Sequence, residues 1–318
     1  MLIWHGWRLF ISELAFAASL AAICLQPATA APRKAAGPCP AHGELHARVA
    51  GVDERLDIAL EDGRILHLVG IDPVRPTPES PERDIEARDL LAEKIRGFDI
   101  DFKPLAQKPD RWGRIPVFGF FAAPEGNERS IGFYLLAAGL ARLKPQAEIH
   151  SCRDNWLTAE ARARSMALGL WADPYYAIIA AGDGSAFAEK AATDVIVEGR
   201  LKAAVSGKTG LRLEFGPNID PKIDPKNGSK SGADLGRGFS VIILQRNLRI
   251  FDQANMKFEP LIGRNVRVRG LLDMRFGPQI EIASPDEIEV SDGEIGKAQL
   301  EVRANETNAI TPISPEDP

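Results

Sequence analysis

The stretch Leu68-Val69-Gly70-Ile71-Asp72-Pro73 constrains this chain most. A short β-branched, apolar run ends on a carboxylate at a turn, which places a charged group at the rim of a small barrel. Downstream, Asp110-Arg111-Trp112-Gly113-Arg114 reads as a polar turn, bent at Gly113, whose last arginine leads into a strand. Short runs suited to half-buried strands cover 46–52, 56–60, 65–71, 98–102 and 114–121. Glu61-Asp62-Gly63 is a hairpin turn of the Asp-Gly kind. Pro73, Pro76, Pro78 and Pro81 forbid regular structure and stiffen a loop. Helices are expected over 83–96, with Ile85, Leu90, Leu91 and Ile95 on one face and Gly97 as the stop, then after a Ser130 cap, then over 153–168. Five strands with packed helices describe an OB-type barrel within a mainly β, α+β chain.

Together with 157–164 running on to Gly169-Leu170-Trp171, these motifs, in this order and spacing, resemble the staphylococcal nuclease (thermonuclease) family over 45–171. The resemblance implies an OB-fold barrel and calcium-dependent phosphodiester hydrolysis. In that family an Asp-Gly-Asp-Thr turn supplies one metal ligand, and the Asp ending the Gly-Ile-Asp run supplies another. A glutamate base lies three residues beyond that Asp, one arginine lies five before it, and a second arginine ends the Asp-x-Tyr-Gly-Arg turn. Asp72 matches the second ligand and Arg114 the second arginine, with Trp112 in place of the usual Tyr. The other positions have changed. The first-ligand turn reads Asp53-Glu54-Arg55-Leu56, which puts Arg55, or Leu56 in the other register, where a ligand belongs. Arg75 stands at the base position and cannot accept a proton, and His67 stands where the first arginine belongs. One retained carboxylate beside added arginines makes a poor site for a dication. A repaired site would need Asp53, Glu54 or Asp57 as a ligand.

Two readings of the altered site follow. In one, Arg55, His67, Arg75 and Arg114 converge around Asp72 as a metal-free anion or phosphate pocket, with Trp112 available to stack on a base. In the other, Asp72 simply pairs with Arg75 or Arg114 and fixes a loop. His67 is a candidate base in the first and a structural strand residue in the second.

Residues 1–30 read as a secretory signal: Arg8 in the n-region, an apolar stretch over 14–25, and Ala28-Thr29-Ala30 before the cleavage point. The alternative is an uncleaved anchor. A secreted or periplasmic chain starting at Ala31 then keeps two cysteines, Cys39 and Cys152, which either pair or remain free thiols. The formal charge is −5, and the tail holds six acids against two bases, so the body is close to neutral. Nucleic-acid binding by counterion release therefore requires a local patch.

Residues 31–44 form an N-terminal arm and 45–172 the first domain; the alanine-rich 173–194 reads as a helical linker. A second, smaller OB-like barrel is expected over 195–291, with Gly199 and Gly270 at barrel corners. Its Val266-Arg267-Val268-Arg269-Gly270 stretch looks like small nucleic-acid-binding OB domains, while Phe215, Phe239, Phe251 and Phe276 sit mostly at core spacing. Lys222, Lys226 and Lys230 are matched by Asp220, Asp224 and Asp234 in a solvated loop, and 292–318 is an acidic, disordered tail. The expected function is that of an exported, non-catalytic thermonuclease-type protein. Its former cleft would bind an anionic or nucleic-acid-like ligand, or a protein partner in the cell envelope, with no cofactor and no stable membrane span. The alternatives are an active nuclease, using Ca²⁺ or another mechanism, and a purely structural interaction module.

Overall fold

The computed structural model describes residues 38–122, 130–215 and 238–291. The expected signal, the lysine loop over 216–237 and the acidic tail lie outside these residues. Strands β1 (Leu45–Val52), β2 (Ile58–Leu60) and β3 (Ile65–Leu68) come first. A short β4 (Ile71–Pro73), helix α1 (Arg83–Ile95), β5 (Asp99–Pro104) and β6 (Arg114–Phe121) follow. Strands β1-β2-β3-β6-β5 close a barrel in that order, with β3 parallel to β6. This topology is consistent with an OB-type barrel.

The expected single strand over 65–71 is broken. Gly70 has φ +74°, and a Cβ there would lie 2.5 Å from Ile149 Cγ2. A side chain is thus excluded by both conformation and space. The chain leaves the barrel at this point, and β4 pairs instead with β7 (Ala141–Leu143), which follows helix α2 (Ile131–Ala137). Ser130 caps α2 as expected, its Oγ accepting from the Phe133 N–H. The buried stripe of α1 is Ala87, Leu91, Ala92 and Ile95, whereas Ile85 and Leu90 are exposed. Helical spacing of four residues from Leu91 and Ile95 leads back to Ala87, so the smaller side chain meets the barrel.

After helix α3 (Arg153–Ser165), Trp171 packs against the first core, as its position after Gly169 predicts. The stretch expected as a helical linker is packed down. The Tyr176 hydroxyl accepts from the Arg75 N–H, Thr77 Oγ1 donates to the buried Asp173, and β8 (Ile179–Ala180) joins the second sheet. Phe187, in helix α4 (Gly184–Glu189), stacks on Phe239 with centroids 5.5 Å apart. Alanine content masked these four anchors, two on each side.

The second sheet adds β9 (Asp194–Gly207), β10 (Gly210–Phe215), β11 (Ser240–Leu244), helix α5 (Gln245–Gln253), β12 (Asn265–Asp273), β13 (Gln279–Glu281) and β14 (Ile288–Val290). Because β12 also pairs with β9, the strands β9-β10-β11-β13-β12 form a ring with β11 parallel to β13. That order repeats the first barrel, and each ring carries a helix between its third and fourth strands. Gly199 and Gly270 allow close packing: a Cβ would lie 2.5 Å from Ala181 Cβ and 2.6 Å from Ile280 Cγ2, respectively.

Each barrel has its own apolar core, yet both belong to one compact unit. They meet across charged groups. Glu160 of α3, with no exposed surface, receives Arg269 of β12 at 2.5 and 3.0 Å and the Leu143 N–H at 2.9 Å. Arg269 also donates to Glu289, and Arg267 is buried on Glu198. The Val-Arg-Val-Arg stretch is therefore a seam and core element, a correction to its reading as a nucleic-acid surface: both guanidiniums point inward to carboxylates. Arg153 donates to the carbonyls of Asp286 and Ile288, and His150 meets Asp286 at 2.8 Å.

Cys39 and Cys152 form a disulfide that ties the N-terminal arm to the start of α3. It closes a loop of 113 residues, so reduction is expected to lower stability by about 4–5 kcal/mol in the chain-entropy model. Unfolding curves with and without reductant test this.

Burial alone would raise the Glu160 carboxyl, but Arg269 outweighs it and holds the group below the ordinary carboxylate range. A depressed carboxyl stabilises the fold above its unfolded value. That contribution is lost only as pH falls through the lowered folded value. Arg269→Leu is expected to cost about 3–5 kcal/mol at neutral pH, because it removes both guanidinium hydrogen bonds from a buried carboxylate and leaves it the Leu143 N–H and the more distant Arg164, at 3.6 Å. In denaturant titrations its deficit should shrink as the pH falls into the acid range, where Glu160 can take a proton.

Candidate functional site

The residues expected to converge fall into two clusters. The first is centred on Asp57, just ahead of β2. Asp53 Oδ1 accepts the N–H groups of Arg55 and Asp57 and closes the turn. Leu56 sits within that turn at φ +60°, a conformation costly for a side chain, and is held there by complete burial. Its side chain fills the core where the family resemblance places a metal ligand. Arg55, the other register's candidate, is exposed, and Glu54 pairs with Arg88 at 2.5 Å.

Parallel pairing of β3 with β6 sets Ile65 opposite Arg114 and His67 opposite Pro116, which brings both candidate side chains to Asp57. Asp57 Oδ1 lies 2.7 Å from His67 Nδ1, and Oδ2 accepts Arg114 Nη1 at 3.0 Å. Asp110 takes the rest of that guanidinium, Nε at 3.0 Å and Nη2 at 2.9 Å, and also accepts the backbone N–H groups of Trp112 and Arg114. Burial works to lower the pKa of Arg114, but the bonds from Asp110 and Asp57 outweigh it and raise the value. Desolvation likewise works to raise Asp110, and the Arg114 and Trp112 hydrogen bonds override it and leave the carboxyl lowered. Trp112 is exposed, with the guanidiniums of Arg111 and Arg114 standing 3.9 and 4.9 Å from its ring centroid.

The second cluster lies at the seam. Pairing of β4 with β7 sets Asp72 opposite Arg142, whose Nη2 donates to Oδ2 at 2.6 Å. Arg75 stands 3.6 Å from Asp72 and 3.5 Å from Asp194, and Arg142 also donates to the Asp194 carbonyl. Asp72 thus lines a cavity of about 260 Å³ between the barrels, with Arg142, Lys144 and Asp194 around it.

The expected cationic rim around Asp72 therefore does not form. Asp72 and Arg114 are held by different partners, because the Gly70 break carries Asp72 away from the strand that positions His67. The pairing of Asp72 with Arg75 agrees with the loop-fixing reading. Sequence reasoning missed Asp110 and Arg142 as partners. Asp110 was legible in principle, as an Asp four residues before Arg114 across a glycine turn; Arg142 was not, since only the β4–β7 register brings it near.

A calcium ion does not fit these residues. Asp72 is committed to two guanidiniums, the buried Leu56 fills the turn where the resemblance puts a ligand, and Asp57 is bound to His67 and Arg114. Among the described residues no group of three or more His, Cys, Asp or Glu is placed to hold a metal ion. Comparison with protein-family models finds no match, and comparison with curated proteins finds none at the level that would mark a relative.

Asp57→Asn leaves a buried amide facing two donors. The substitution should lower stability by about 2–4 kcal/mol, since hydrogen bonds to charged groups are each worth about 1.5–3 kcal/mol. Equilibrium denaturation measures it. A loss below 1 kcal/mol would show that Asp57 is not the centre of this cluster.

Proposed function

We propose that this chain is an exported, non-catalytic protein of thermonuclease type that works by binding. In this reading its two rings are OB-type barrels forming two domains, the first a nuclease barrel converted to a scaffold. The observation that carries it is the pairing of Arg114: each nitrogen of its guanidinium donates to Asp57 or Asp110, which commits three of its five N–H groups and offsets its charge with two carboxylates. An arginine that neutralises a phosphoryl transition state must have donors free to meet it. A guanidinium whose charge already faces two carboxylates attracts a phosphate weakly, because those carboxylates repel it. The same pairing counts against the old cleft as an anion pocket and moves the contact surface elsewhere. Export to an oxidising compartment is supported by the Cys39–Cys152 disulfide.

A second reading rests on a different observation. Asp57 engages Nδ1 of His67, which leaves Nε2 in the position of a general base oriented by a carboxylate. Such a dyad would favour metal-independent cleavage of RNA, with a neighbouring hydroxyl as the nucleophile.

The test follows labelled single-stranded DNA and RNA with calcium and with a chelator, beside an active thermonuclease. The proposal expects no cleavage by the mature protein under either condition. Calcium-dependent cleavage lost in Arg114→Ala would defeat it. Chelator-resistant RNA cleavage lost in His67→Gln would establish the second reading instead.

A further inference from the structure

The outer face of the second barrel carries an open groove of about 1210 Å³ that neither cluster touches. Its floor follows from strand register. Arg212 on β10 lies opposite Val205 on β9 and Ile242 on β11, and Ile242 lies opposite Glu281 on β13. One outward row thus crosses four adjacent strands, while Leu213, Val241, Ile243 and Ile280 on the inward side are fully buried. One wall is built by the end of β12 and the turn after it. There Leu271 and Phe276 are 55% and 64% exposed, and Val205 on the floor is 47% exposed. Of the four phenylalanines read as core from their spacing, Phe215, Phe239 and Phe251 are buried and Phe276 is not.

The charges of the groove restrict what it can hold. Among the described residues its lining has two cations, Arg212 and Arg275, against three carboxylates, Glu214, Asp273 and Glu281. Asp273 binds Arg275 at 2.8 Å and Glu281 binds Arg246 at 3.3 Å. A single-stranded polyanion needs an excess of cations along its track and a series of stacking rings. Among the described residues this groove has one exposed ring and no cationic excess. A floor on which aliphatic Val205 and Ile242 alternate with Arg212 and Glu281, charges of opposite sign, complements instead a chain that is neutral overall, polar along its backbone and apolar in alternate side chains. Four strands at about 4.8 Å spacing span roughly 14 Å, the length of about four residues of extended polypeptide.

We propose that this groove is a docking site for an extended, net-neutral protein segment with apolar side chains at alternate positions, seated on Val205 and Ile242 and held by Leu271 and Phe276. The inference rests on the reading of the chain as a non-catalytic binder and supplies its contact surface.

The probe is a capped, fluorescein-labelled peptide in which Val, Phe and Ile alternate with Ser and Thr, followed by anisotropy against the full mature chain. Competitors are the same peptide with its apolar residues replaced by Ser, and an oligothymidylate labelled with a second dye. The expected result is saturable binding that weakens about tenfold or more in Leu271→Ser and in Phe276→Ser, the size of loss typical of a central interface contact. Both residues are exposed, so the thermal midpoints of these variants should stay unchanged, and neither competitor should displace the probe. No binding by the wild type, or equal binding by both variants, would overturn the proposal. Displacement by the oligothymidylate, with its own binding weakened in Arg212→Gln, would assign the groove to nucleic acid instead. Shortening of the oligothymidylate in the same samples would refute the non-catalytic reading and leave the groove measurement standing.

Discussion

The Glu160–Arg269 pair joins the two barrels, and much of the architecture depends on it. A carboxylate and a guanidinium removed from water each carry a desolvation penalty of several kcal/mol. The protein offsets this by satisfying both: Glu160 also accepts the Leu143 N–H, and Arg269 also donates to Glu289. Such a pair contributes little net stability compared with an apolar contact of the same volume, but it has one geometry. Slippage of α3 against β12 would leave charges buried and unmatched. The seam is therefore fixed in register, and the disulfide that anchors the start of α3 reinforces it.

The same principle governs the clusters around Asp57 and Asp72. Arginines suited to phosphate are present, but each meets a carboxylate of the chain itself: Arg114 with Asp57 and Asp110, Arg142 and Arg75 with Asp72. Self-pairing at 2.6–3.0 Å for Arg114 and Arg142 competes directly with any ligand anion. The separation of Asp72 from Arg114 is set by backbone pairing, β4 with β7 for the one and β3 with β6 for the other.

Much of this fold was legible in the sequence. The alternation in β1 and β6, the Asp-Gly turn and the Ser130 cap are local signals, and the structure reproduces them. The parallel β3–β6 pairing and the β12–β9 closure are long-range, and no local pattern encodes them. At the site, Arg114 and His67 could be picked out by motif spacing, and they do come together, though around Asp57 instead of Asp72. The misplacement traces to Gly70, whose positive φ breaks a run that reads in the sequence as one continuous strand. Burial of Arg267 and Arg269 was equally hidden, because an alternating Val-Arg strand has the same sequence pattern whether its polar face meets water or buried carboxylates.

Asp72, Arg114 and their neighbours are spent on one another. The thermal midpoint of the mature protein, measured with increasing calcium and inorganic phosphate together, tests it most directly, since a ligand that binds only the folded state must raise that midpoint by mass action. The account predicts a midpoint that does not move beyond the effect of matched magnesium and chloride. A saturable rise specific to calcium, abolished in Asp72→Asn, would contradict it.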